Sequence, residues 1–151
     1  MSDPTYSLAT ETVEDPASVN CDVLISTCRN IYYNLAFEDW LYENEDFSNR
    51  NLLMFWKSDP CIVIGRHQNP WAECNLPLCK ENGITIARRK SGGGTVYHDH
   101  GNLNCSFFTH RKNYDRKANL EIIARALQRK WNLNVEINDR DDLILNNEFK
   151  V

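Results

Sequence analysis

No apolar run in the 151-residue chain exceeds a few residues. That excludes a membrane-spanning helix, which needs about 20. There is no surplus of basic charge either: 17 Lys and Arg stand against 21 Asp and Glu, a formal net charge of −4. Non-specific nucleic-acid binding needs the opposite sign. Six cysteines, at positions 21, 28, 61, 74, 79 and 105, follow no secretory signal pattern and form no C-x-x-C pair. They read as reduced thiols of an intracellular protein. A zinc site from Cys74, Cys79, His98 and His100 is the alternative, but its spacing fits no zinc-finger pattern. The first 20 residues carry no cation and few large aliphatics. They are expected to be a disordered tail, and they lack the Arg-rich composition of a mitochondrial transit peptide. Repeats and low-complexity segments are also missing.

What is present starts with glycine. The chain has six, and three are consecutive, in Arg88-Arg89-Lys90-Ser91-Gly92-Gly93-Gly94-Thr95-Val96-Tyr97-His98-Asp99. Ile84 to Arg88 alternates apolar and polar residues and reads as a strand, and Thr95 to Tyr97 reads as the next. Glycine lets a ligand approach the backbone, and successive free N–H groups form an anion-binding nest. Three adjacent cations suit phosphate or carboxylate. The alternative is a flexible turn with solvated charges.

A hydrophobic fraction of 42% is enough for a core, and the length fits one domain. Asp22 to Ser26 reads as a buried strand. Tyr33, Ala36, Phe37, Trp40 and Leu41 have the spacing of a helix stripe and are expected in the core, with Asn34 and Glu38 on another face. Leu52 to Trp56 and Cys61 to Ile64 flank Lys57-Ser58-Asp59-Pro60 and read as a β-hairpin. Arg66 follows at the strand exit, Trp71 reads as a packing anchor for the next loop, and Asn75 caps a helix that Gly83 ends. Asn104 to Thr109 is a strand. Arg116 to Trp131 is a second long helix with Leu120, Ile123, Ala124, Leu127 and Trp131 as its buried stripe and a basic outer face. Val135 to Ile137 and Leu143 to Leu145 are strands, and Asn146-Asn147 is a tight turn. The pattern is α+β, with a mixed, largely antiparallel sheet flanked by helices.

RRKSGGGTVYHDHGN closely resembles the signature of the lipoate–protein ligase and lipoyltransferase family. Gly65 to Asn75 (GRHQNPWAECN) resembles that family's other signature, and Asn34 to Asp39 (NLAFED) resembles the start of its first helix. HQNPW and GGGTVYHD look most like the mitochondrial lipoyltransferase branch. The resemblance implies the biotin/lipoate ligase catalytic-domain fold, here residues 21–151 as its N-terminal part, incomplete at the C-terminus. It implies a transferase that moves a lipoyl or octanoyl group from lipoyl-AMP to a lysine. The acceptors would be lipoyl domains of E2 subunits of 2-oxoacid dehydrogenase complexes, or the glycine cleavage H protein. A monomer without nucleic-acid or membrane partners is expected. The resemblance favours a mitochondrial location, while the tail leaves a cytoplasmic one open.

The same resemblance assigns roles. Lys150 matches the lysine that contacts the phosphate and the reacting carbonyl. Arg89, Ser91, Gly92, Gly93, Gly94, Thr95, Val96, Tyr97 and Arg140 match positions that hold lipoyl-AMP, and Arg66 belongs to the second signature. His98-Asp99 reads either as a general base or as a polar pair holding the strand end. Arg140-Asp141-Asp142 stands where bacterial ligases carry Arg-Asn-Asp. That departure favours transfer from ready-made lipoyl-AMP over a ligase using ATP and Mg²⁺. A non-catalytic fragment that only holds ligand or acceptor is the third reading, and the related biotin–protein ligases are a fourth.

Overall fold

Strand alternation and two helical crossovers set the architecture. In the computed structural model, residues 19–146 and 148–150 are described, together with the backbone path of 6–9. The chain forms two compact units, Met1–His110 and Arg111–Val151. The first contains β1 (Tyr6–Ala9), β2 (Asn20–Ser26), α1 (Ile31–Asn44), β3 (Arg50–Trp56) and β4 (Cys61–Ile64). It continues with α2 (Pro70–Glu73), α3 (Leu76–Glu81), β5 (Thr85–Arg88), β6 (Val96–His98) and β7 (Asn104–Phe108). The second contains a 3₁₀ turn (Arg111–Asn113), α4 (Arg116–Trp131), β8 (Val135–Ile137), β9 (Leu143–Leu145) and β10 (Phe149–Lys150).

The first unit holds two sheets, ordered β1-β2-β3-β7 and β5-β4-β6. β2 runs parallel to β3, and β4 parallel to β5. Parallel neighbours require a long crossover, and α1 supplies one while α2 and α3 supply the other. The other five strand pairings are antiparallel. The fold is therefore mixed α+β with antiparallel-rich sheets. β3 is the spine of its sheet: Leu52, Met54 and Trp56 alternate into the core, where they meet Leu24, Ile31, Leu41 and Phe108.

Three expectations are corrected in this unit. β3 and β4 are not a hairpin. β2 and β7 occupy both edges of β3, and β5 and β6 occupy both edges of β4, so neither strand has an edge left for the other. The short connection carries the chain from one sheet to the next, and it is stitched to the β2–α1 junction by Asp59 N–H donating to the Arg29 carbonyl at 2.9 Å. The tail is not featureless over 6–9, where an edge strand pairs with β2 from Tyr6 opposite Ser26 to Ala9 opposite Val23. The other residues of that expected tail up to 18 lie outside the described residues.

The third correction is the phase of α1. Its start is capped by Asn30, whose side-chain oxygen accepts the Tyr32 N–H. Of the expected stripe, Leu41 is buried and Phe37 packs against the core, while Tyr33, Ala36 and Trp40 are exposed and Ile31 and Asn34 face inward instead. Asn34 explains the choice. It is fully buried (0% exposed) and accepts a hydrogen bond from Ser26 Oγ at 2.7 Å. Its amide donates to the Cys28 carbonyl at 2.9 Å and the Lys57 carbonyl at 3.1 Å. One side chain thus ties β2, the start of α1 and the β3–β4 connection together, and it outranks a more apolar face that has no such partners.

The second unit has its own small core of Ala124, Val135 and Leu143, flanked by Leu120, Ile123, Leu127, Ile137 and Leu145. Trp131 is exposed, contrary to the expected stripe, because it is the last residue of α4. The helix ends there at Asn132, which adopts a left-handed φ of 52°. Asn146 also takes a left-handed φ of 52° in the turn that joins β9 to β10; its expected companion Asn147 lies outside the described residues.

Asn34→Ala should lower the stability of the protein by about 3 kcal/mol in urea unfolding, because two buried carbonyls and a hydroxyl lose their partner. Ala36→Ser, on the exposed face of the same helix, should change it by less than about 0.5 kcal/mol.

Candidate functional site

Two loops cross at the C-terminal ends of β4 and β5. The first starts at Gly65, directly after β4, and the second is the glycine run from Arg89 to Thr95. Because β4 is central and pairs with both β5 and β6, the glycine run must pass over the end of β4 to join them. The crossing is tight: a Cβ on Gly65 would stand 2.1 Å from the Gly93 carbonyl oxygen. Gly93 itself has φ +92°, open to glycine and strained for other residues.

Side chains lock this crossing. One terminal nitrogen of Arg88 donates to the carbonyls of Gly65, Arg66 and Gln68 at 3.0, 3.0 and 2.8 Å. The Gln68 side-chain oxygen accepts the Gly65 N–H at 2.8 Å and the Thr95 hydroxyl at 2.9 Å. Arg66 N–H donates to the Ser91 carbonyl at 3.0 Å. Arg89 folds back into its own loop. Its guanidinium donates to the carbonyls of Gly92 and Gly94 at 2.8 and 2.7 Å, and to Val63 at 3.1 Å. Lys90 reaches the other way, to Glu43 at 2.5 Å and Asp39 at 3.5 Å on α1. The N–H groups of Gly92, Gly93 and Gly94 have no acceptor among the described residues. A Cβ placed on Gly92 or Gly94 meets nothing within 4 Å.

Arg89, Lys90 and Ser91 of this loop help to line an open cleft of about 840 Å³. Its apolar wall is Leu35, Trp56, Val63, Val96 and Phe107. Glu38 enters from α1, and Ser106 and Asn104 from β7. The polar groups form a chain: Trp56 Nε1–H donates to Ser106 Oγ at 2.9 Å, and the Ser106 hydroxyl donates to Glu38. Burial raises the Glu38 carboxyl above its ordinary value of 4.5, with the Ser106 hydrogen bond opposing. His98 stacks edge-on against Trp56 with ring centres 5.9 Å apart. Burial first, and then the Arg89 charge, lower its pKa below 6.5, so the ring is neutral near neutral pH. His98 Nδ1 and Asn104 Nδ2 are buried in the cleft wall without a hydrogen-bond partner among the described residues.

Of the residues singled out from sequence, Arg66, Arg89, Ser91, Val96 and His98 line this cleft, and Gly92 to Gly94 continue the loop from Ser91. Thr95 points to Gln68 and Glu73. Tyr97 lies between Val96 and His98 on β6, and strand alternation sends it to the other face. The Asp99 carboxylate accepts the Gly101 N–H at 2.8 Å and shapes the turn after β6. Arg140 and Lys150 belong to the second unit. There Lys150 forms an ion pair with Asp142 at 2.7 Å, and Arg116 lies 3.6 Å from Asp141. Trp71 is 77% exposed and anchors nothing; backbone bonds to Arg88 and Gln68 hold its loop instead. Glu38, Asn104 and Ser106 were not legible as cleft residues. The signal for Glu38 was its spacing from Asn34 on a helix face that polar side chains disguise.

A sequence profile for the lipoyl protein ligase A/B catalytic domain matches residues 30–151. The chain belongs to that family. It is 51% identical over 130 residues to the mitochondrial lipoyl amidotransferase of Homo sapiens, covering 85% of this chain and 35% of the relative. It is 39% identical over 145 residues to a lipoate-protein ligase A of Schizosaccharomyces pombe, described there as putative, covering 96% and 39%. This family member therefore spans about a third of the length of the curated relatives it matches. Among solved structures it resembles P. falciparum LipL1 in complex with lipoate, at TM-score 0.77 and 34% identity, over 87% of this chain and 42% of that one. It also resembles a lipoate-protein ligase A bound with ATP, at TM-score 0.70 and 28% identity, over 89% and 59%.

Two outcomes are expected. Gly65→Ala should cost about 1–3 kcal/mol in denaturant unfolding, as overpacked sites do. Gly92→Ala and Gly94→Ala should each stay within about 0.5 kcal/mol of wild type. The second concerns pH. A carboxyl raised by burial contributes most when protonated, below its unfolded value, and that contribution is lost as pH rises through the folded value. The stability of wild type relative to Glu38→Gln should therefore fall as pH rises above 4.5, followed by thermal unfolding across pH 4 to 8.

Proposed function

We propose that the protein containing this chain is a lipoyltransferase. It would join a lipoyl or octanoyl group, presented as the acyl-adenylate, to the ε-amine of a lysine on a lipoyl domain or the glycine cleavage H protein. The supporting observation is a cleft with an apolar wall, bordered by a loop that has three backbone N–H groups without an acceptor among the described residues. The wall suits an acyl chain. The free amides suit the phosphate and the charge that develops on the carbonyl oxygen as the amine attacks. In that step the amine nitrogen forms a bond to the anhydride carbonyl carbon, the carbon–oxygen bond to phosphate breaks, AMP leaves with the electron pair, and the nitrogen releases a proton to solvent.

Relatives supply the chemistry by resemblance. One is named a lipoyl amidotransferase, one neighbour holds lipoate, another holds ATP, and a third is described with its E2 lipoyl domain. Ser91 and Gly92 to Gly94 are the proposed contacts to the acyl-phosphate, with Thr95, Val96 and Tyr97 continuing the motif. Arg140 and Lys150 are proposed as adenylate contacts, and Lys150 as the catalytic cation. His98 stays neutral and offers a ring able to exchange a proton; Asp99 supports it through the turn. A mitochondrial location and a monomeric state complete the proposal.

A second reading, an ATP-dependent ligase that also needs Mg²⁺, is less favoured. Arg140-Asp141-Asp142 stands in place of the Arg-Asn-Asp of bacterial ligases, and its two carboxylates pair with Arg116 and Lys150. Mass spectrometry of an apo lipoyl domain separates the readings. Incubation with the protein and lipoyl-AMP should add one lipoyl group, whereas lipoate, ATP and Mg²⁺ should add none. Equal gains would move the protein to the ligase reading. Binding of lipoyl-AMP without any transfer would leave a ligand-holding fragment.

A further inference from the structure

In the first unit the chain passes between its two sheets twice. The segment 57–60 leaves β3 for β4, and 99–103 leaves β6 for β7. Strand register puts these two connections side by side. At one end Trp56 stands opposite Asn104, and at the other Cys61 stands opposite His98. Among the described residues no strand ladder joins the two sheets. The cleft takes its wall from both, with Trp56, Asn104 and Ser106 on one and Val63, Val96 and His98 on the other. Its width therefore follows from the angle between the sheets, and the paired connections lie where that angle is set. The sheets share a core, so the available motion is a small opening.

His100 gathers the contacts at this place. Arg29 Nη1 donates to His100 Nδ1 at 2.8 Å. A guanidinium carries only donors, so the ring proton sits on Nε2. That nitrogen lies 3.7 Å from an Asp59 carboxylate oxygen. Lys57 Nζ donates to the His100 carbonyl at 3.1 Å, and Asp59 N–H donates to the Arg29 carbonyl at 2.9 Å. One residue of the second connection thus meets two residues of the first and the β2–α1 junction. The His100 and Asp59 side chains are 58 and 63% exposed. Exposed contacts of this kind are weak one by one, which suits a latch that releases and resets.

We propose that the two connections are a hinge on which the cleft opens, and that His100 is a positioning residue that latches it. Hinges are a few residues at element ends that absorb a change in backbone angles. His98 and Asn104 flank the second connection, so its setting passes directly to the cleft wall. The hinge rests on geometry alone. Its effect on a ligand rests on the reading of the cleft as an acyl-ligand site, where opening would govern ligand exit.

Two measurements on the full chain keep these apart. Asn20 starts β2, Leu78 lies in α3 on the crossover from β4 to β5, and both are exposed. Pulsed spin-label distances between these two positions report the hinge without ligand. Stopped-flow displacement of bound lipoate reports the cleft. His100→Leu should broaden the distance distribution and make lipoate leave about threefold faster, the scale of a few exposed contacts, with a melting temperature near that of wild type. His100→Gln keeps one acceptor and one donor, so it should restore both values. Arg29→Leu should reproduce His100→Leu, and the double substitution should add little, because the two residues act as one contact. An unchanged distance distribution in His100→Leu overturns the hinge. Full additivity with Arg29→Leu, or a large fall in melting temperature that His100→Gln shares, overturns the latch. If wild type binds no lipoate, the acyl-site reading fails, and the distance measurement still decides the hinge.

Discussion

The crossing of two backbones at Gly65 and Gly93 is the constraint on which the first unit depends. β4 must be central for its sheet to close against both β5 and β6, so the chain that leaves β5 has to pass over the end of β4. A carbonyl stands where a side chain on Gly65 would begin. Everything near the crossing is consistent with that close approach. Arg88 gathers the carbonyls of the lower loop, Gln68 joins the lower loop to the upper, and Arg89 gathers the carbonyls of the upper loop. Arg89 holds the carbonyls of Gly92 and Gly94, and the N–H groups of Gly92 to Gly94 have no acceptor among the described residues.

The same logic governs the polar interior. Buried polar groups are tolerated where each finds a partner. Asn34 finds three and thereby sets the orientation of α1. Ser106 accepts from Trp56 and donates to Glu38, and so keeps a carboxyl inside an otherwise apolar wall. Ser58 Oγ, His98 Nδ1 and Asn104 Nδ2 break the pattern. The last two are in the cleft wall, where a ligand or water can complete the bonds.

Local chemistry was legible in the sequence and long-range choices were not. The cap at Asn75, the stop at Gly83, the extent of α4 and the strand–loop–strand around the glycine run depend on neighbours within a few positions. The phase of α1 did not follow from hydrophobicity. Tyr33, Ala36 and Trp40 belong to the more apolar stripe and are exposed, because Asn34 decides the matter through partners 8 and 23 positions away. The β3–β4 connection had the length and the Asp-Pro of a hairpin turn. What excluded a hairpin was the occupancy of both edges of both strands, a property of the sheet and not of the segment. The cleft shared this difficulty. Its motif residues stood out in sequence, while Glu38 and Ser106 come from a helix and a strand whose apolar patterns concealed them.

One further consequence concerns light. The chain has four tryptophans. Trp40, Trp71 and Trp131 are 50, 77 and 62% exposed, whereas Trp56 is 4% exposed and forms part of the cleft wall. A water-soluble collisional quencher reaches the first three and spares the fourth. The emission that survives then belongs to an indole hydrogen-bonded to Ser106 and flanked by His98. The fold has in effect placed a single optical probe inside its own cleft, with the other three separable from it by solvent access alone.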